Sequence, residues 1–121
     1  MSVDKNTIGI TKSNASLLSN IVSAGRFADE MDAAKFAMAY AIRRGMRSGA
    51  TQGAETKWNV GSIDRDGSLK SLVEALCPDT SEPYRLIEHL MNEGIQQISS
   101  ATASGTDFYD ILFPEQSGDQ A

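Results

Sequence analysis

The sequence predicts a small, mainly helical domain with one or two short strands. The chain has 121 residues, which is close to the usual size of one folding unit. Its 40% hydrophobic and 22% charged residues are typical of a globular protein and exclude a disordered chain or a fibrous rod. Most apolar residues recur at three- and four-residue spacing, as they do on one face of a helix. We therefore expect an N-terminal strand–helix–helix followed by a helical C-terminal half.

The first 45 residues carry the clearest pattern. Thr7–Thr11, with the sequence TIGIT, alternates apolar and small polar residues, which predicts a short strand. Apolar residues at helical spacing then predict a helix that ends at Gly25. Asp29 is a good N-cap residue for a second helix that runs from about residue 30 to residue 44.

The second helix is apolar on nearly all sides, which predicts burial on more than one side. Because the chain is short, we expect a central helix or one shared with a second copy. The apolar content of this helix also predicts a homodimer. The residues predicted to lie in this dimer interface are Ile8, Ile10, Phe36, Ala37, Tyr40 and Ala41.

Composition divides the chain into four segments. Residues 1–45 form the strand–helix–helix unit, and the Gly-rich residues 46–57 are predicted to be a loop or linker. Residues 58–113 form an acidic unit, mainly helical after a strand-like start, and residues 114–121 are a frayed tail. The two folded segments are either one domain or two.

Three local signals organise the acidic unit. Pro78 stops a short amphipathic helix, and residues 79–82 resemble a capping box for the next helix. Gly94 either ends that helix or is crossed by it, because Ile95 and Ile98 continue its apolar side.

Charge is unevenly distributed along the chain. Residues 1–53 carry seven Lys or Arg and four Asp or Glu, whereas residues 54–121 carry four and twelve, and the total is −5. This balance argues against a generally basic nucleic-acid coat protein. It indicates either two different partners or an attraction between the two halves.

Cysteine content and the chain start indicate a cytoplasmic protein. Cys77 is the only cysteine, which excludes a disulfide-stapled secreted domain. The first residues lack the apolar stretch of a signal peptide, and no apolar run has the length of a membrane span.

No residue pattern predicts catalysis, a cofactor or a metal site. His89 is expected to be a surface or half-buried residue, and Cys77 and Trp58 to be core residues, although Trp58 alternatively stacks on a base or anchors a partner. The DRDGS sequence at Asp64–Ser68 resembles part of a calcium loop, but the acid needed at its twelfth position is replaced by Val73. A helix-capping turn explains the same residues.

The strand TIGIT, the helix with Leu17, Leu18, Ile21, Val22 and Gly25, and the helix Met31–Ile42 together resemble the ribbon-helix-helix family of DNA-binding proteins. The resemblance implies that two copies pair their strands and insert them into the major groove. It also implies that the outward residues Lys5, Thr7, Gly9 and Thr11 face the bases. The same pattern fits a small DNA-modification accessory protein or an oligomeric core without a DNA role.

Three functions remain open from the sequence. The first is a dimeric DNA-associated regulator whose basic half contacts DNA and whose acidic half binds a protein. Its predicted DNA-binding residues are Lys5, Thr7, Thr11, Lys12, Arg26, Arg43, Arg44 and Arg47. The second is a protein-interaction adaptor that binds no nucleic acid, and the third is a small enzyme with a site shared between subunits.

Overall fold

A computed structural model describes residues 3–25, 27–107 and 110–111 of the protein. These residues form five helices and a two-stranded antiparallel sheet, which confirms the predicted mainly helical class with its N-terminal strand and two helices. In chain order the elements are β1 (Thr7–Thr11), α1 (Lys12–Gly25), α2 (Glu30–Arg43), β2 (Ala54–Asn59), α3 (Val60–Ile63), α4 (Ser68–Leu76) and α5 (Pro83–Ala103). The predicted tail at 114–121 lies outside the described residues.

The sheet joins the two halves of the chain. β1 pairs with β2 so that Thr7 lies opposite Asn59 and Thr11 opposite Ala54, with a bulge where the register shifts between Ile8 and Gly9. β2 begins at Ala54, inside the range 46–57 whose composition predicts a loop. Pairing with β1 therefore draws the last four residues of that range into the sheet.

Helix α5 is the central element of the fold. It packs mainly against α2 and also against β1, α1 and α4. Its buried residues Leu90, Met91 and Ile95 belong to one hydrophobic cluster that contains side chains from both halves of the chain. The helix continues through Gly94, as the apolar residues after that glycine indicate.

Helix α2 lies directly on α5. A Cβ atom added at Gly94 would lie only 1.9 Å from the carbonyl oxygen of Ala37, so the two backbones approach closely at this point. The stripe of small residues at Ala33, Ala37 and Ala41 permits this approach, and all three are fully buried. Of the two expected arrangements of α2, a central helix or one shared with a second copy, the structure shows the central one on this side, because α5 of the same chain covers it.

Two helices begin with aspartate caps. The carboxylate of Asp29 accepts a hydrogen bond from the backbone N–H of Asp32 at 2.9 Å, as the sequence predicts for α2. The start of α5 is capped instead by Asp4, whose carboxylate accepts the N–H groups of Tyr84 and Arg85 at 2.8 and 3.0 Å. The capping box predicted at 79–82 is therefore wrong, since a carboxylate about 80 residues away performs its role.

The turn before α4 is a capping turn. Both carboxylate oxygens of Asp64 accept backbone N–H groups, from Leu69 at 2.8 Å and Lys70 at 3.1 Å. A hydrogen bond with the Ser68 hydroxyl group, together with the one that Asp66 accepts from the Ser68 N–H, lowers the pKa of Asp66. Hydrogen bonding thus confirms the capping interpretation of the DRDGS sequence.

Within the described residues, no helix combines the length and the apolar composition that crossing a membrane requires.

Candidate functional site

The predicted DNA-contacting residues in β1 and just before it make contacts within the chain. The ammonium group of Lys5 lies 3.4 Å from the buried carboxylate of Glu88. The hydroxyl group of Thr7 lies 3.5 Å from that of Thr56. The hydroxyl group of Thr11 accepts the N–H of Asn14 and so caps α1. These side chains thus contribute to the fold itself.

Both edges of β1 are occupied by the same chain. One edge pairs with β2, and on the other Gly9 donates its N–H to Glu88 at 2.8 Å and accepts a hydrogen bond from the Asn92 amide at 3.0 Å. Asn92 also accepts the N–H of Thr11 at 3.0 Å. Two side chains of α5 therefore take the place of a third strand, at the edge where the ribbon-helix-helix resemblance implies a second copy.

The residues predicted to form a dimer interface lie in the core of the single chain. Ile8, Ile10, Ala37, Tyr40 and Ala41 are buried in the absence of any partner. Phe36 is partly buried, and its ring centre lies 5.4 Å from that of Phe27. These side chains do not form an exposed apolar surface.

The remaining predicted cations are exposed. Lys12 lies at the start of α1, and Arg43, Arg44 and Arg47 follow one another at the end of α2. Arg43 donates to the carbonyl of Ile111 at 2.7 Å. Within the described part of the chain these four cations make no ion pair. Arg26 lies outside the described residues.

A band of polar residues runs along the outer side of α5. We call it the α5 face, and its members are His89, Glu93, Gln96, Gln97 and Ser100. Depressions of about 350 and 400 Å³ flank this face where it meets α1 and where it meets α2. Glu93 and Gln96 line both depressions.

The first depression, which we call the α5 cleft, is lined mainly by polar residues. It lies between Thr11, Ser13 and Asn14 at the start of α1, residues 50–52 of the loop before β2, and the α5 residues His89, Asn92, Glu93 and Gln96. Among the described residues, Glu93 is the only acidic one that lines it, and no Lys or Arg does. The α5 cleft therefore offers hydrogen-bonding groups and one negative charge.

An unpaired oxygen lies in the wall of the α5 cleft. Asn14 is 1% exposed, and its Oδ1 has no hydrogen-bond partner among the described residues. Gln97 Oε1, in the second depression, is likewise buried and unpaired. Buried oxygens of this kind are uncommon in folded proteins, because each loses its hydration without gaining a hydrogen bond.

His89 holds the loop before β2 against α5. Its Nδ1 atom lies 2.9 Å from the hydroxyl oxygen of Thr51. The His89 ring also lies against Gly49. A Cβ atom added at Gly49 would lie 2.3 Å from Nε2 of His89. Gly49 also has a φ of +131°, in the region that favours glycine, so both geometry and space require glycine there. His89 is half-buried, and this tether explains it without a catalytic role.

A larger depression lies near the start of α5. Its volume is about 470 Å³, and it lies between residues 47–49 and the connection from α4 to α5. Its two arginines are engaged: Arg85 pairs with Glu82, and Arg47 donates to the carbonyls of Ile42 and Met46. Cys77, in its wall, is buried, as the sequence predicts.

Trp58 lies at the margin of the core. It is half-buried, packs against the hydrophobic cluster, and has the ammonium group of Lys57 5.5 Å from its ring centre. Lys57 itself pairs with Glu30 of α2 at 2.6 Å. This position accords with the predicted packing role of Trp58.

The chain matches no protein-family model and shows no significant similarity to any curated protein or solved structure. In the described part of the chain, no group of three or more His, Cys, Asp or Glu side chains is placed to hold a metal ion. The candidate site is therefore defined by its geometry alone.

Sequence reasoning missed the α5 cleft. Asn14, Thr51 and His89 are separated by more than thirty residues from one another along the chain, and no spacing links them. The available signal was the polar series at residues 89, 93, 96, 97 and 100 on a helix whose opposite side is mainly apolar. That series indicates an uncovered side but not the loop and helix that border it.

Proposed function

We propose that this protein is an interaction adaptor that binds another protein through the α5 face. The observation that carries the proposal is the pair of buried, unpaired amide oxygens, Asn14 Oδ1 and Gln97 Oε1, on either side of Glu93. A partner that donates hydrogen bonds to them removes an unfavourable desolvation that the free protein carries.

The placement of α5 supports this function. Its apolar side is covered by α2, β1, α1 and α4, so the helix is held rigidly. Among the described residues no helix or strand lies over its polar side, and the loop before β2 meets that side at His89. A rigid helix face with a polar rim and shallow depressions is a common basis for protein recognition, because little ordering is needed on binding.

The net charge of the chain also supports the binding of another protein. The chain carries −5 overall, and the α5 cleft adds the carboxylate of Glu93 without a neighbouring Lys or Arg in its lining. A surface of this sign attracts basic segments of proteins and repels phosphate groups.

One observation favours the second candidate, a DNA-associated protein. Arg43, Arg44 and Arg47 are exposed at one end of α2, and none makes an ion pair within the described residues. Three phosphate contacts predict that log affinity falls with log salt with a slope of about −3.

The test compares the unaltered full chain with two variants of it. Each is produced in, and purified from, the cells in which the protein naturally occurs. Gln96→Arg places a bulky cation at the centre of the α5 face, where Gln96 borders both depressions. Ser71→Arg adds the same side chain to an exposed position of α4 outside them. We expect a stoichiometric protein partner to be recovered with the unaltered chain and with Ser71→Arg, and to be lost with Gln96→Arg.

Mobility shift with duplex DNA at low salt completes the test. Equal recovery of the partner by both variants contradicts the use of the α5 face. The second candidate is selected instead if duplex DNA is retained with the expected salt slope and this retention is abolished when Arg43, Arg44 and Arg47 are changed to Gln.

A further inference from the structure

We infer that the α5 cleft is a binding site for a positively charged nitrogen group, either a guanidinium or an ammonium. The inference rests on the proposed function, because the group is one that a partner's Arg or Lys side chain carries. A free polyamine offers the same chemistry from a second source.

The orientation of the Asn14 amide is fixed by its neighbour. Asn14 Nδ2 donates to Asn92 Oδ1 at 3.0 Å and to the Asn92 carbonyl at 3.3 Å. Asn92 cannot exchange its own oxygen and nitrogen, because its Nδ2 already donates to the carbonyls of Gly9 and Glu88. Asn14 must therefore direct its nitrogen to Asn92, and its oxygen is the atom left for a ligand.

Access to this oxygen depends on flexible neighbours. Asn14 is buried, but Ser13 and Gln96, which line the same cleft, are exposed. We expect these two side chains to open a path by changing rotamer, without movement of the backbone. The cleft volume of about 350 Å³ lies at the lower end of the range of ligand sites, about 300–1,000 Å³, and so admits a side-chain-sized group.

The charge of the lining defines the class of ligand. Glu93 is half-buried and makes neither an ion pair nor a side-chain hydrogen bond with any described residue. A carboxylate and a fixed carbonyl oxygen are both acceptors. Guanidinium and ammonium groups carry several N–H donors and no acceptor, and they supply the compensating charge.

The second depression does not share this character. Gln97 Oε1 is unpaired there too, but the exposed guanidinium of Arg44 lines the same depression. A second cation would be repelled at that point. The cation site is therefore assigned to the α5 cleft alone.

The experiment is a titration of the ¹⁵N-labelled full chain, followed by NMR, with three probes. N-acetyl-arginine amide presents a guanidinium, N-acetyl-citrulline amide presents a neutral group of nearly the same shape, and spermidine presents free ammonium groups. We expect saturable shifts at the Asn14 side-chain amide and at the backbone amides of His89, Glu93 and Gln96 with the cationic probes. The citrulline probe should bind about tenfold more weakly or not at all.

A pair of matched variants isolates the charge. Glu93→Gln removes the carboxylate and keeps its shape, and should weaken binding of the arginine probe about tenfold. Glu74→Gln makes the same change at an exposed position of α4 and should leave the affinity within about twofold. Retained amide dispersion in both spectra shows that the variants remain folded.

Each outcome has a definite meaning. Tighter binding of the arginine probe than of spermidine supports a partner side chain as the source, and the reverse supports a free polyamine. Any one of three results overturns the cation site: equal shifts with the citrulline probe, equal loss of affinity in both variants, or no saturable shift with any probe. If the cation site fails while Gln96→Arg still abolishes partner recovery, the adaptor function stands without it.

Discussion

At the scale of single residues, two buried polar side chains hold the strand and the central helix together. Asn92 uses both amide groups, accepting from Thr11 and Asn14 and donating to Gly9 and to the carbonyl of Glu88. Glu88 is almost fully buried, and its carboxylate is met by the N–H of Gly9 and the ammonium group of Lys5. Because a buried carboxylate is costly unless it is paired, this arrangement fixes where β1 lies on α5.

Tyr84 gives a prediction for alkaline solution. Burial, together with the hydrogen bond that its hydroxyl donates to Asp64 at 2.7 Å, raises the pKa of Tyr84 to about 12 from 10.0. A raised pKa means that the folded state keeps the proton while the unfolded state loses it. Tyr84 therefore stabilises the fold fully below pH 10, and this contribution is lost as the pH rises from 10 towards 12.

Tyrosinate absorbance and urea unfolding measure this effect. One tyrosine should titrate near pH 12, and Tyr84→Phe should remove that step and flatten the fall in unfolding free energy above pH 10. Tyr40→Phe serves as the control and should retain the late step. An unchanged late step in Tyr84→Phe would rule out the assignment.

At the scale of elements, the crossing of α2 and α5 depends on Gly94. An added methyl group would lie 1.9 Å from the carbonyl oxygen of Ala37, which belongs to the backbone and cannot rotate away. We expect Gly94→Ala to lower the free energy of unfolding by about 3 kcal/mol, because the two helices must separate.

The matched control for this prediction is Gly61→Ala in α3. No atom lies within 4 Å of a Cβ added at Gly61, and its φ is not positive. Alanine is the better helix former, so this change should be neutral or should stabilise the protein by less than about 1 kcal/mol. Urea denaturation compares the two variants, and equal effects would mean that the close approach does not matter.

At the scale of the whole molecule, both halves of the chain contribute to one hydrophobic cluster. β1 is bonded to β2 and to α5, and α2 packs along α5, so neither half retains its core without the other. We therefore expect a single cooperative unfolding transition. Trp58 fluorescence, which reports on β2, and far-UV circular dichroism, which reports on the helices, should give the same urea midpoint. An earlier loss of the Trp58 signal would show that the sheet unfolds on its own.

Most local structure could be predicted from the chain itself. The alternation in TIGIT, the helical spacing of apolar residues, and Asp29 as a cap act over a few residues, and the structure has each of them. The capping of α5 was beyond such reasoning, because Asp4 and Tyr84 meet only after the chain has folded. The same limit applied to the α5 cleft, whose walls come from three separate segments.

The sequence by itself determined that this protein is mainly helical and that α2 must be buried, because periodicity and apolar content are local properties. Only the tertiary structure decided what packs on the small-residue stripe of α2, and it is α5 of the same chain. It also decided which polar groups form hydrogen bonds or ion pairs within the fold and which are left unpaired. Lys5 and Glu88 neutralise each other, whereas Asn14 Oδ1 and the Glu93 carboxylate, at the α5 cleft, have no partner among the described residues. The physical reason is that hydrogen bonds and charge pairs depend on distances of a few ångströms, which sequence separation does not specify.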